Sequence, residues 1–513
     1  MSEKKIFNLT YILVIILLIS KIFGFLRDLF IAKNFGAGME TDSYFIALIT
    51  STILFGIISL ALSTTLIPMI SKVIEKEGLN KEVLYVNNIN NILFFFTLLV
   101  VIIGYLIAPF LVKLIASGFT GEKFELAVKL TRIGLPIIIF NSFFTVFKGY
   151  LHYHRKFMIP ALEGLAISIP IILYLFFFSK EFGIIGLMVV TTFTGLFKVI
   201  LIIPSTLKTG FSFNPKFDLK DKYFKMTLFM LGPIILGSMS GYINTIVDRS
   251  IASQLVEGSI SALSYAARIR QIVLGLFITS LITVLYPMIA KILSENKSIQ
   301  SIIKLGINVI ILISVPATTV IMTLNYPLTK LIFQRGAFTL SDTIMTSSAL
   351  FYYSIGIIGV GLAALLSKVF FSMHDTKTPM IISIIAVVIN IILNLILTPF
   401  MGHNGLALGT SIAAIFSAIT LLTFLKKNNK EIEIKNYLIV LIKSIIASLF
   451  MSLLIYILHK YYINIIDGGF VFRLFKLFFI LATGAVVYCL MIHFFKVKEF
   501  KLGLEFVKAK IKS

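Results

Sequence analysis

The 513-residue chain has no tryptophan, a single cysteine, and charge on only 13% of its residues. Each scarcity excludes something. A lone thiol, Cys489, cannot close an intrachain disulfide, and inside the last apolar run it reads as a small packing residue rather than a redox centre. Without Trp, any interfacial belt falls to the 19 Tyr and 48 Phe. So few charges leave no long polar segment for a soluble domain. With 58% hydrophobic residues and a mean hydropathy of +1.01, the chain is too apolar for water and must be solvated by lipid. The six histidines (His152, His154, His374, His403, His459, His493) lack metal-ligand spacing. No phosphate-cradling glycine loop or nucleophile elbow appears, so neither an enzyme site nor an organic cofactor is expected.

What is present is a succession of apolar runs of roughly twenty residues, each long enough to cross a hydrocarbon core of about 30 Å. They predict an all-α integral membrane protein with about fourteen spans, from 8–35 to 471–493, each read as continuous. Lys4 and Lys5 precede the first run as in a secretory signal. That run, however, continues to about Phe35, carries Lys21, Arg27 and Asp28, and lacks a small-residue cleavage site, so it is read as a retained helix. With the amino terminus inside, the inner connections hold 26 of the 46 Lys and Arg and the outer ones 8, which predicts both termini in the cytoplasm. Those loops, facing anionic headgroups, account for the net charge of +23 without any nucleic acid. The tail bearing Lys496, Lys498, Lys501, Lys508, Lys510 and Lys512 reads as an amphipathic surface segment, and His152, His154 and Arg155 as an inner-loop headgroup contact.

The chain also resembles itself. Leu66-Ile67-Pro68-Met69-Ile70-Ser71-Lys72 returns as Leu285-Tyr286-Pro287-Met288-Ile289-Ala290-Lys291, Asp28 and Gly38 return as Asp248 and Gly258, and Pro160 returns as Pro379. Six helices separate the copies, and an even number preserves orientation. Parallel repeats follow, as in transporters with a central cavity between two lobes. The predicted domains are a six-helix lobe over 1–217, a second over 218–430, and a terminal helix pair with a basic tail over 431–513.

Twelve basic residues fall within the predicted spans against three acids, Asp28, Glu163 and Asp248. Each charge costs about 2.5–3.5 kcal/mol at a helix centre on insertion scales, so an excess of one sign calls for a watery cavity or a ligand. Lys113, Lys148, Lys198, Lys368, Lys443, Arg473 and Lys476 lie near span ends, where snorkelling suffices. Lys21, Arg27 and Arg268 lie deeper, and guanidinium forks match phosphate oxygens, so they point to a phosphate or diphosphate headgroup. Asp28 either orients Arg27 in the empty site or simply pairs with it. Arg270, two residues from Arg268, faces another way and is left out. Asn390 and Asn394 share a helix face at i, i+4, as do Leu406 and Thr410 on the next helix. With Asp248 they form either an oxygen cage for a hard monovalent cation or interhelical hydrogen-bond glue.

These residues resemble the MurJ (MviN) lipid II flippases of the multidrug/oligosaccharidyl-lipid/polysaccharide transporter superfamily. The resemblance is carried by Gly24-Phe25-Leu26-Arg27-Asp28, Phe35-Gly36-Ala37-Gly38 with Thr41-Asp42, Asn244-Thr245-Ile246-Val247-Asp248-Arg249 and Tyr265-Ala266-Ala267-Arg268. Phe333-Gln334-Arg335-Gly336-Ala337-Phe338 and His374-Asp375 with Lys377-Thr378-Pro379 add to it. It implies export of an undecaprenyl-diphosphate-linked peptidoglycan precursor by alternating access, with a groove for the lipid tail at the C-terminal helix pair. It further implies substrate-binding roles for Lys21, Arg27, Asp28, Asp42 and Arg268, and a sodium site of Asp248, Asn390, Asn394, the Leu406 carbonyl and Thr410. Membrane lipids and the precursor are the expected partners, and the chain is expected to act as a monomer. Helix two departs from the family: it carries Phe55, Gly56 and Leu60 where basic residues are usual, which leaves room for another polyprenyl-linked glycan. Asn394 stands where an aspartate can occur. A drug or metabolite antiporter of the same superfamily would want a cavity of aromatics and carboxylates, which the twelve-to-three excess disfavours. A membrane glycosyltransferase would need paired acids on a large outer loop.

Overall fold

The computed structural model describes residues 3–78, 81–295, 298–428, 432–462, 464–501 and 505, with side chains from Ile12 onward except at 54, 236, 238 and 470. Among these residues there are only helices and short connections. The helices are α1 (Glu3–Phe35), α2 (Met39–Glu77), α3 (Lys81–Leu106), α4 (Ala108–Ile115), α5 (Gly121–Gly134), α6 (Ile137–Tyr153), α7 (Met158–Ala161), α8 (Glu163–Phe177) and α9 (Ser179–Leu207). There follow α10 (Lys222–Ser253), α11 (Ser259–Val273), α12 (Thr279–Ser294), α13 (Gln300–Phe333), α14 (Leu340–Ile355), α15 (Ile357–Ser372), α16 (Lys377–Met401), α17 (His403–Asn428), α18 (Ile434–Ile457) and α19 (Phe470–Phe494). Helix is the outcome because a backbone in lipid must satisfy its own hydrogen bonds within the segment.

Among the described residues eleven helical stretches are long and apolar enough to cross a membrane, or thirteen if two bent pairs each count as one span. The expected fourteen is not reached. From Ile12 on, every 18-residue stretch of α1 contains at least three charged residues, because Lys21, Arg27, Asp28 and Lys33 crowd its second half. The 125–151 span lies within a single membrane-length stretch, Gly121–Tyr153, with Leu135-Pro136 between α5 and α6. The 343–372 span splits into α14 and α15 at Gly356, with a bend of 43°.

The helix plan repeats. Glu3 and Lys222, Lys81 and Gln300, Gly121 and Leu340, Met158 and Lys377 are helix starts 219 residues apart. Equivalent helix ends match in detail. Arg155 and His374 both adopt left-handed backbone (φ 58° and 60°), and the next amides, Lys156 N and Asp375 N, donate five residues back to Leu151 O (2.8 Å) and Phe370 O (3.0 Å). This is Schellman geometry without the usual glycine. Lys496, at the end of α19, takes it a third time (φ 52°).

By contact the chain forms two units, residues 1–261 with 335–338, and residues 262–334 with 339–513. Within the first unit α10 packs along α2, α3 and α4. The first unit centres on Leu62, Leu66, Met69 and Ile70 of α2 against Tyr85 and Ile89 of α3, Phe147 and Tyr150 of α6, and Ile202 of α9. Its 208–221 connection is strapped to α3 by amide side chains. Asn87 exchanges hydrogen bonds with Ser212 O and Asn214 N, Asn88 does so with Asp218 O and N, and Asn91 donates to Asn214 O and Lys216 O. In the second unit, α15 and α16 approach α17 so closely that a Cβ on Gly359 would sit 2.5 Å from Ile415 N, and one on Gly405 2.7 Å from the Leu397 carbonyl carbon. Lipid offers no hydrophobic drive between helices, so such backbone contact supplies the cohesion. Cys489, expected to be packed, lies exposed on α19. Lys508, Lys510 and Lys512 of the tail lie outside the described residues.

Candidate substrate-binding site

On α1, Arg27 donates from Nε (3.0 Å) and Nη2 (2.8 Å) to the same oxygen of Asp28, Oδ1. Asp28 is buried at 6% exposure and Arg27 is partly open. The fork grips one carboxylate oxygen, which falls short of the two-oxygen geometry that makes Arg–carboxylate pairs strongest. Lys21, seven residues before Asp28, shares its helix face and is exposed. Arg268, on α11 in the second unit, is exposed too. Arg270, omitted on grounds of spacing, proves the more unusual cation. Its Nε and Nη1 are buried without a hydrogen-bond partner, and its guanidinium lies 4.4 Å from the Tyr353 ring centroid. Spacing could not reveal it, since the clue is the Tyr353 ring of α14, far away in sequence.

Asp42 is placed differently from a headgroup contact. It is 1% exposed, and its carboxylate already accepts four hydrogen bonds: Lys123 Nζ (2.8 Å) and Gly258 N (2.8 Å) at Oδ2, Ser261 N (2.9 Å) and Ser261 Oγ (2.6 Å) at Oδ1. No lone pair remains for a donor on a substrate in this conformation. Asp42 instead fastens the start of α2 to the start of α11. Around it the helix ends cap one another. Ala337 N donates to Lys33 O at the end of α1 (2.8 Å), with Gly336 at φ 61°, where a Cβ would lie 2.2 Å from that same carbonyl. Gly118 N donates to Ser253 Oγ at the end of α10 (2.9 Å). The glycine of the Phe333–Phe338 motif is therefore required by backbone approach.

The span-end basic residues do more than snorkel. Lys148 and Lys198 share Glu163 (2.8 and 3.5 Å), and Lys198, 6% exposed, also donates to Asn141 Oδ1 (2.6 Å). Lys113, Lys443, Arg473 and Lys476 donate to backbone carbonyls, and Lys368 lies over the rings of Tyr286 and Phe371. His154, expected at a headgroup, is 3.2 Å from the buried Glu82. Asp375 of the His374–Pro379 motif receives Thr378 N (2.9 Å), and Thr378 holds its carboxyl below the usual carboxylate range. The motif starts a helix.

Helix two shows why its basic residues can be absent. Phe55, 3% exposed, packs with Leu135, Ile137 and Ile138, and a Cβ on Gly56 would meet the Tyr242 hydroxyl at 2.9 Å.

The tentative cation cage is divided by unit. In the second unit, Asn394 Nδ2 donates to Asn390 Oδ1 (3.1 Å) and Thr410 Oγ1 to Leu406 O (2.9 Å). Gly409 lets α17 approach, since a Cβ there would lie 2.5 Å from Asn394 Oδ1. Asp248, in the first unit, accepts from Asn244 Nδ2 (3.1 Å). This all-oxygen set with one carboxylate fits a hard monovalent cation in kind. Among the described residues no three His, Cys, Asp or Glu side chains gather as a metal cluster.

Residues 31–500 match the family described as lipid II flippase MurJ. A probable lipid II flippase MurJ of Rickettsia prowazekii is 32% identical over 470 residues, covering 90% of this chain and 91% of that protein. One from Buchnera aphidicola subsp. Schizaphis graminum is 31% identical over 499 residues, covering 94% and 96%. Among solved structures, a lipid II flippase MurJ in an inward closed conformation superposes with a TM-score of 0.80 at 27% identity, over 94% of this chain and 98% of that one. An inward-facing multidrug resistance MATE family transporter aligns at 0.66 with 16% identity over 82% and 97%, a likeness of fold alone.

Proposed function

The chain belongs to the lipid II flippase MurJ family, a family of multi-pass membrane transporters and not enzymes, and from that premise we propose how it handles its substrate. It moves the undecaprenyl-diphosphate-linked peptidoglycan precursor from the inner to the outer leaflet of the bacterial cytoplasmic membrane by alternating access. It works as a monomer with both termini in the cytoplasm and with lobes over 1–217 and 218–430. The observation that carries this reading is the Arg27–Asp28 pair. A guanidinium held by one carboxylate oxygen inside a membrane helix is poised to exchange that oxygen for a diphosphate. Lys21 and Arg268 add charge for the headgroup. Asp42 serves as the latch that closes the outer end between substrate loads, rather than as a headgroup contact. Sodium is taken up by Asp248, Asn390, Asn394, Leu406 O and Thr410.

Depletion of the protein tests the substrate: the diphosphate-linked precursor should accumulate on the inner leaflet. Normal export with build-up of another lipid-linked glycan would establish a second reading, a flippase for a different polyprenyl-linked glycan. The apolar packing of Phe55 and Gly56 favours that alternative.

A further inference from the structure

Two cavities of the first unit lie side by side along the spans formed by α3 and by α5–α6. The first, about 580 Å³, is lined by Tyr105 and Pro109 and by Glu125, Lys129 and Arg132 of α5. The second, about 240 Å³, is lined by Phe96, Val100 and Ile103 of α3 and by Ile107, Phe55 and Ile138. Its one polar lining residue, Thr97, already donates to Leu93 O (2.7 Å). Along the chain from Phe96 on α3 to Pro109 on α4, Phe96 to Gly104 and Ile107 line the second cavity and Tyr105 and Pro109 the first. On the facing span, Phe124 to Ile133 line the first and Ile138 the second. The charged cavity thus sits where α3 ends, and the apolar one lies beside it farther into the span, with no lining residue in common.

The charged cavity is prepared for an anion. Arg132 Nε donates to Tyr105 O (3.2 Å), and the guanidinium carbon lies 5.0 Å from the Tyr105 ring, which fixes the plane while leaving both Nη groups without an acceptor among the described residues. Lys129 and Glu125, although i, i+4 on one helix, form no ion pair with each other or with Arg132. Around the mouth, Tyr105, Leu106, Ile107 and Phe110 are 51%, 70%, 41% and 67% exposed. One oriented guanidinium and an exposed lysine, ringed by bare apolar surface at a span end, match an amphiphile better than a soluble anion.

We propose that this pair of cavities binds an anionic phospholipid: the phosphate between Arg132 and Lys129, a headgroup hydroxyl on Glu125, and part of one acyl chain in the Val100 cavity. The outer leaflet as its source rests on the topology proposed above; the chemistry of the site does not.

Native mass spectrometry of the full-length protein, loaded with phosphatidylglycerol or phosphatidylcholine, tests it. The wild type should retain phosphatidylglycerol preferentially. Lys129→Gln with Arg132→Gln should lower that retention about thirtyfold, the loss expected for two basic residues facing an anionic headgroup, with the thermal transition unchanged. Val100→Phe should weaken phosphatidylglycerol binding without altering sensitivity to salt. Lys113→Gln, a nearby exposed lysine engaged with Ser117 O, should change nothing. Equal retention by the double variant, or an equal loss in Lys113→Gln, would overturn the site. Displacement by millimolar glycerol phosphate would show a soluble-anion site and overturn the lipid. Because no transport is measured, these results stand apart from the identity of the exported precursor.

Discussion

Three carboxylates tie the first repeat together, and none has an acidic counterpart in the second. Asp42, held by four donors, corresponds to Ala262 at the 220-residue offset of Asp28/Asp248 and Gly38/Gly258. Glu82, beside His154, corresponds at the 219-residue spacing of the helix starts to Ser301, and Glu163, shared by Lys148 and Lys198, to Ile382. The first repeat adds these ion pairs to the Asn87, Asn88 and Asn91 straps, and in the second Gly359 and Gly405 bring helices into backbone contact, Asn394 reaches Asn390, and Ser411 donates to Tyr352 O (2.8 Å). The same helix plan thus tolerates two kinds of cohesion. Removing one member of a buried ion pair strands its partner, whereas removing one small-residue contact loses only local packing.

The comparison can be broken at its functional positions first. Arg27→Ala and Arg268→Ala, one in each repeat, should each abolish growth in a depletion strain while membrane levels stay normal. Full complementation by both would remove the basis for an anionic site. Next comes the latch. Asp42→Ala strands Lys123 and two backbone amides and should cost about 3–5 kcal/mol. Ser261→Ala keeps its amide on Asp42 and should cost about 1 kcal/mol. Denaturation of the two purified variants measures the difference, and equal losses would erase the asymmetry. A smaller effect is expected in ion response: sodium, and not potassium, should raise the thermal transition of the wild type, and Asp248→Asn should remove that rise. A wild type indifferent to sodium sinks the cage. Smallest of all, Lys496→Ala at the third left-handed helix end should complement fully in a growth assay, because it keeps a non-glycine backbone there and leaves the basic tail largely intact.

Much of this was legible from residue types alone. Hydropathy locates the helices, and the Pro68/Pro287 echo locates the repeat, because seven aligned positions around a proline carry more information than either proline alone. Arg27 and Asp28 stand out because charge is costly in lipid. The bend at Gly356 does not, since hydropathy averages over it. Nor do the bonds of Asp42 to Lys123 and Ser261, because an acid at a span end looks alike whatever it meets. The role of Glu163 was missed because Lys148 and Lys198 meet only in three dimensions, and Arg270 was discarded on spacing when its setting depends on Tyr353.

The crossed bonding of helix ends bears on how the chain withstands cutting. The carbonyl of Lys33 accepts from Ala337 N of the other repeat, and Ser253 Oγ accepts from Gly118 N in the reverse direction. Either half alone leaves both ends open. Split between residues 217 and 218 and co-expressed, the halves should therefore reassemble and support growth, while either half alone should not.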